Sequence, residues 1–165
     1  MRVLGIDTSL RSTGVGVVES RGTRLAAVEF GPIRSAAGVP LSECLRRLAV
    51  GLDELIERTR PDAASVEGAF FFKNARTAMV LGEARGVAIA ACARAGVPVY
   101  EYAPRRVKQA VVGFGAASKE QVLAMVTSML ALEREPQEDA GEALALAICH
   151  AHSFSGHAAL RPEAI

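Results

Sequence analysis

The chain has no tryptophan, two tyrosines and six phenylalanines, so aromatic residues make up only 5% of it. Cysteine is scarce as well: Cys44, Cys92 and Cys149 are odd in number, far apart and set among apolar neighbours. That pattern excludes a disulfide framework and a zinc site of paired cysteines, and it suits a reducing compartment. A strong charge of one sign is also lacking. The formal net charge is +1, which argues neither for nor against a nucleic-acid partner. No apolar run approaches the ~18 residues of a membrane span, and the stretch before Asp7 is too short for a signal peptide. No repeat or low-complexity segment is visible. These absences lead to the expectation of a soluble, cytoplasmic protein that is no membrane partner.

What is present is enough for one domain. With 165 residues, half of them hydrophobic, a chain can bury about 70% of its unfolded surface. Val3, Leu4 and Ile6 crowd together without helical spacing, so residues 2–7 read as a buried strand. The turn Thr8-Ser9-Leu10-Arg11-Ser12-Thr13 leads to a second strand over 14–19. Arg21-Gly22 looks like a hairpin tip, with 25–30 returning as a third strand. From Leu41 the period becomes helical, through Cys44, Leu45, Leu48, Leu52, Leu55 and Ile56, until Pro61 stops it. A fourth strand over 62–67 follows, then a helix from Ala75 to about Ala93 with Asn74 as its N-cap. Residues 97–101 read as a fifth strand and 104–112 as a short helix. Ser118 and Gln121 have capping-box spacing ahead of a helix over 119–132, and a last helix spans 138–152. The expected fold is α/β: a five-stranded mixed sheet flanked by helices. Residues 1–152 form the domain, and 153–165 read as a frayed tail.

Four acids stand where strands end or a helix begins: Asp7, Glu67, Asp139 and Glu142. Carboxylates at strand ends face a shared edge, and converging carboxylates repel one another unless a divalent cation lies between them. Hydrolysis of a phosphodiester needs an activated water and positive charge at the phosphate. Two Mg²⁺ ions about 4 Å apart, held by carboxylates, supply both. Asp139 and Glu142 are spaced i,i+3 and share a helix face. Glu138 and Glu142 are i,i+4 neighbours, so spacing alone leaves Glu138 and Asp139 both open. Acids in a first helical turn are also favoured by the macrodipole alone.

The blocks GIDTSLRSTGVGVVE, VEGAFFFKNARTAMVLGEARGVAIAA, VYEYAPRRVKQAVVGFGAASKEQV and PQEDAGEALALAICHAH run in order over residues 2–152. Together they resemble the RuvC family of Holliday junction resolvases, within the ribonuclease H-like superfamily. The resemblance implies a ribonuclease H-like fold and a homodimeric, Mg²⁺-dependent crossover junction endodeoxyribonuclease, with Mn²⁺ able to substitute. Such an enzyme makes paired symmetric nicks in four-way DNA junctions during recombination and repair, alongside branch-migration helicase machinery. It implies Asp7, Glu67, Asp139 and Glu142 as metal-binding catalytic acids, choosing Asp139 over Glu138. The family pattern has Asp where Glu142 stands, so retained activity with a shifted metal preference is expected. It also has Pro-Gly where this chain has Thr8-Ser9, and hydroxyl-bearing residues can form such a turn instead. A non-catalytic junction-binding scaffold, its metal site impaired at Glu142, is the alternative. The first block also looks like the phosphate turn of actin-like ATPases and sugar kinases, but 165 residues cannot supply their second lobe.

Other groups fit the task of holding DNA. Phe70, Phe71 and Phe72 are half of the phenylalanines, in one run beside Glu67. They read either as core or dimer contacts or as a wedge stacking on an unpaired base, for about 1–3 kcal/mol per base. The resemblance favours Phe70 as the stacking residue, with Lys73 and Arg76 as phosphate contacts. No acid lies between Glu101 and Glu120, where Arg105, Arg106, Lys108 and Lys119 all fall. The resemblance singles out Lys108 and Lys119. A lysine at the start of a helix opposes the macrodipole, so Lys119 calls for a functional cause, and near the acids it would stabilise charge on the phosphate. Ala78, Gly82, Gly86 and Ala90 recur every four residues and permit close approach, to the sheet or to a twin helix. His150 and His152 read as structural, or as charge partners of the helix C-terminus.

Overall fold

The computed structural model describes residues 1–68, 74–155 and 162–165. Three strands open the chain, β1 (Arg2–Asp7), β2 (Ser12–Arg21) and β3 (Arg24–Arg34). Helix α1 (Leu41–Thr59), strand β4 (Ala63–Glu67), helix α2 (Ala75–Arg94) and strand β5 (Val99–Tyr102) follow. Helices α3 (Pro104–Val112), α4 (Lys119–Met129) and α5 (Glu138–Ser155) complete it. The sheet order is β3-β2-β1-β4-β5. The first three strands form an antiparallel meander, and β4 and β5 run parallel to β1. This is the expected five-stranded mixed sheet.

Alternation along the strands sorts the core into two layers. Leu4, Ile6, Val15, Val17, Ala64 and Val66 face α1 and α2. Val3, Val18 and Tyr102 face α3, α4 and α5. On α2 the residues turned to the sheet are Ala84, Ala88, Ala91 and Cys92. The stripe that includes Gly82 and Gly86 therefore faces outward, and a Cβ added at either glycine would meet nothing within 4 Å.

Several element ends differ from the expectation. Strands β2 and β3 pair from Ser12↔Arg34 to Arg21↔Arg24, well beyond their apolar centres, because backbone pairing continues after side-chain alternation fades. Pro32 is tolerated because β3 is an edge strand. Helix α4 stops at Met129 instead of reaching Leu132. Ala131 takes a left-handed conformation (φ 49°), the Leu132 N–H bonds the Thr127 carbonyl, and the Ala131 N–H bonds that of Ser128. This is a Schellman ending made without glycine. Helix α5 continues to Ser155, three residues past the expected stop. Beyond it, the Ile165 N–H donates to the Val99 carbonyl at the sheet edge.

Candidate active site

Asp7 is the last residue of β1 and lies opposite Gly14 of β2. The parallel register Ile6↔Val66 brings Glu67, the last residue of β4, to the same edge. Asp7 shares its face with Val3 and Gly5, the face crossed by α5. That helix lies almost on the strand backbones. A Cβ on Gly5 would stand 1.8 Å from the Ala143 carbonyl oxygen, and one on Gly14 1.9 Å from that of Asp139. The absence of side chains at these positions lets the first turn of α5 ride over the ends of β1 and β2. Asp139 and Glu142 are carried to Asp7 by that seat. The turn between β1 and β2 is laced by hydroxyls: the Ser12 N–H donates to Ser9 Oγ, and the Ser9 N–H to Thr13 Oγ1. Thr13 donates back to the Ser9 carbonyl.

The electrostatics follow from this crowding. The Asp7 carboxyl, half-buried and hydrogen-bonded to Glu142, is pushed up to about 8, first by burial and then by the charges of Glu142, Glu67 and Asp139. Around neutral pH Asp7 therefore keeps its proton beside the Glu142 carboxyl. Glu67 reaches solvent on one side, yet burial of its carboxyl and the Glu142 charge raise it, while Lys119 and Lys108 draw it down. Lys119, the first residue of α4, places Nζ 2.6 Å from Glu138 Oε1 and 2.8 Å from Glu142 Oε1. Those two contacts hold its ammonium group well above the usual lysine range. They also explain how a lysine tolerates the start of a helix: acids on α5 offset the macrodipole. Ser12 donates a hydrogen bond to Asp139 Oδ2. A cleft of about 280 Å³ opens here, lined by Asp7, Glu67, Glu142, Lys108 and Lys119, with Val107, Val122 and Leu146 among its apolar walls.

The residues singled out in the sequence fare differently. Asp7, Glu67, Glu142, Lys108 and Lys119 meet at one cleft. Asp139 stands to its side, beside Ser12, yet its charge is felt at Asp7. Glu138 lines the cleft too but is taken up by Lys119 and contributes nothing to the Asp7 shift. Arg76 is not gathered with the acids; it lines a second cavity, of about 460 Å³, with Arg11, Leu41 and Met79. Phe70, Phe71, Phe72 and Lys73 lie outside the described residues. His150 is buried, its Nδ1 2.8 Å from the Tyr102 hydroxyl, and burial lowers it to about 4. His152 Nδ1 lies 3.1 Å from the Ala110 carbonyl; both histidines tie elements together. Ser12 went unread in the sequence, where it has no distinguishing pattern beyond its place in the turn. Gly5 and Gly14 did carry a signal, since glycine inside a strand marks close approach of another backbone.

Among the described residues, no three carboxylate, imidazole or thiol groups are already drawn into a cage for a metal ion. The donor chemistry nevertheless fits a hard divalent cation. Four carboxylates crowd one strand edge, and their burial and mutual charge leave Asp7 holding a proton. Their charge is met here by that proton, by Ser12 and by Lys119.

Comparison with known proteins adds an independent line. The family model described as crossover junction endodeoxyribonuclease RuvC matches residues 3–150. The protein of that name from Pelotomaculum thermopropionicum is 50% identical over 156 residues, covering 94% of this chain and 95% of the relative. Its counterpart from Geobacter sulfurreducens is 48% identical, covering 98% of each. The solved structure of Thermus thermophilus RuvC in complex with a Holliday junction substrate superposes with a TM-score of 0.92 at 34% identity, covering 100% of this chain and 99% of that one. The yeast mitochondrial Holliday junction resolvase, at 9% identity and a TM-score of 0.61 over 89% of this chain and 77% of that one, shares the fold.

Proposed function

This chain belongs to the RuvC family of crossover junction endodeoxyribonucleases, and on that footing we propose that it resolves four-way DNA junctions by paired symmetric nicks. The observation that carries the reading is the crowding of Asp7 against Glu142 at an edge also reached by Glu67 and Asp139. The solved relative bound to a Holliday junction supports the substrate. Asp7, Glu67, Asp139 and Glu142 are the metal ligands, for two Mg²⁺ ions or Mn²⁺ in their place. Ions held by these residues would supply an activated water and positive charge at the attacked phosphate. To serve as a ligand, Asp7 would have to release the proton that its crowded position lets it keep. Lys119 keeps a cation beside Glu142, where the phosphate's developing charge needs one, and Lys108 does so on the Glu67 side.

Around this centre, residues 1–152 act as the nuclease domain. Phe70 stacks on an opened base, and Lys73, Arg76, Lys108 and Lys119 meet phosphates. A homodimer suits the task, since two strands are cut by two sites related by a two-fold axis. The outward stripe on α2 is the surface for that contact. Branch-migration helicase machinery is a further partner, and the cytoplasm the compartment. No helix among the described residues is long and apolar enough to cross a membrane.

A labelled four-way junction incubated with wild type and Asp7→Asn, with and without Mg²⁺, tests the reading. Nicks at symmetric positions should appear only with wild type and Mg²⁺, the variant falling at least 100-fold. Equal cutting of linear duplex would overturn the junction specificity, and undiminished cutting by Asp7→Asn would overturn the site.

A further inference from the structure

We propose that Ser12 is a positioning residue for Asp139, its hydroxyl holding one carboxylate oxygen and leaving the other for a cation. The inference rests on the reading of Asp139 as a metal ligand.

Both ends of this contact are fixed by backbone. Ser12 opens β2 opposite Arg34, and its N–H is held by Ser9 Oγ at 3.2 Å. Ser9 is in turn tied to Thr13, a buried residue. This short turn follows Asp7 directly, so one unit carries both Asp7 and the Ser12 hydroxyl. On the other side, Asp139 is fixed by the seating of α5 on Gly14. The hydroxyl donates to Asp139 Oδ2 across that junction.

Asp139 needs such a partner. Its charge lies close enough to help keep Asp7 protonated, while the nearby ammonium of Lys119 is taken up by Glu138 and Glu142. Among the described residues no lysine or arginine pairs with Asp139. A carboxylate left without a donor there would turn away from its neighbours toward solvent. A neutral donor is also the suitable kind, since it orients the carboxylate without reducing the negative charge that attracts a cation. A lysine in the same place would compete with the cation. Partners that orient a metal-binding carboxylate typically change metal affinity by about 10–100-fold.

The test is Mn²⁺ binding to the full chain by calorimetry, alongside the Mg²⁺ concentration giving half-maximal junction cleavage. Ser12→Ala should weaken Mn²⁺ binding about tenfold and raise the Mg²⁺ requirement similarly. Its metal-free melting temperature and its junction affinity should match wild type. Ser12→Thr and Ser12→Val share a shape and differ by the hydroxyl, so Thr should restore metal affinity and Val should not. Equal affinities for those two variants would overturn the proposal even if Ser12→Ala folds poorly. Wild-type affinity in Ser12→Ala, with weakened binding in Asp139→Asn, would overturn it while leaving Asp139 a ligand. Wild-type affinity in Asp139→Asn would remove Asp139 as a ligand, and the proposal with it.

Discussion

Asp7 holds a proton that an ordinary carboxylate has lost by neutral pH, and this has consequences for both folding and metal binding. Its folded value of about 8 lies above the usual 3.8. A raised value means that Asp7 contributes most to stability below pH 4 and that the contribution is lost as pH climbs toward 8. In EDTA, the melting temperature should therefore fall by several degrees between pH 5 and pH 8.5, at about 2–4 °C per kcal/mol for a chain of this size. Asp7→Asn should flatten that fall, as calorimetry at a series of pH values would show. A wild-type profile that is flat over the same range would contradict the raised Asp7 carboxyl. Glu142 stands out at the same scale. It bonds Asp7 and lies 2.8 Å from Lys119, so the extra methylene relative to aspartate does not take it out of the cluster.

At the scale of elements, the site depends on how closely α5 lies on β1 and β2. Gly14→Ala would drive a methyl group to within 1.9 Å of the Asp139 carbonyl, so the helix has to shift. Overpacking of this kind costs roughly 1–3 kcal/mol, and catalytic geometry tolerates displacements well under 1 Å. Gly14→Ala should lower the melting temperature and reduce cleavage at least tenfold. Gly82→Ala, where the added Cβ meets nothing within 4 Å, should leave monomer stability unchanged or raise it slightly, helix propensity favouring alanine. Equal effects of the two substitutions would contradict the proposed role of the seat. Element ends were the least legible part of the sequence. The stop of α4 at Ala131 carries no glycine to announce it, and β2 and β3 outrun their apolar centres. The hydroxyl-laced turn, by contrast, was legible as a turn, because Ser and Thr side chains can hold such a chain reversal.

Across the whole molecule, the mixed sheet was readable because three closely spaced apolar segments preceded alternating helices and strands. The register Ile6↔Val66 was not, although it is what sets Asp7 beside Glu67; pairing between distant strands leaves no local trace. Nor could spacing separate Asp139 from Glu138. The structure distinguishes them by partner, Ser12 for one and Lys119 for the other. The central claim concerns two such sites acting together on one junction, and a supercoiled plasmid that extrudes a cruciform tests it most directly. Two nicks made within one encounter convert the circle straight to linear DNA, whereas independent nicks first accumulate open circles. With Mg²⁺ and wild-type protein, linear plasmid should appear from the earliest time points, cut symmetrically at the cruciform. Open circles accumulating ahead of linear product, or a plasmid without the cruciform linearised at the same rate, would contradict it.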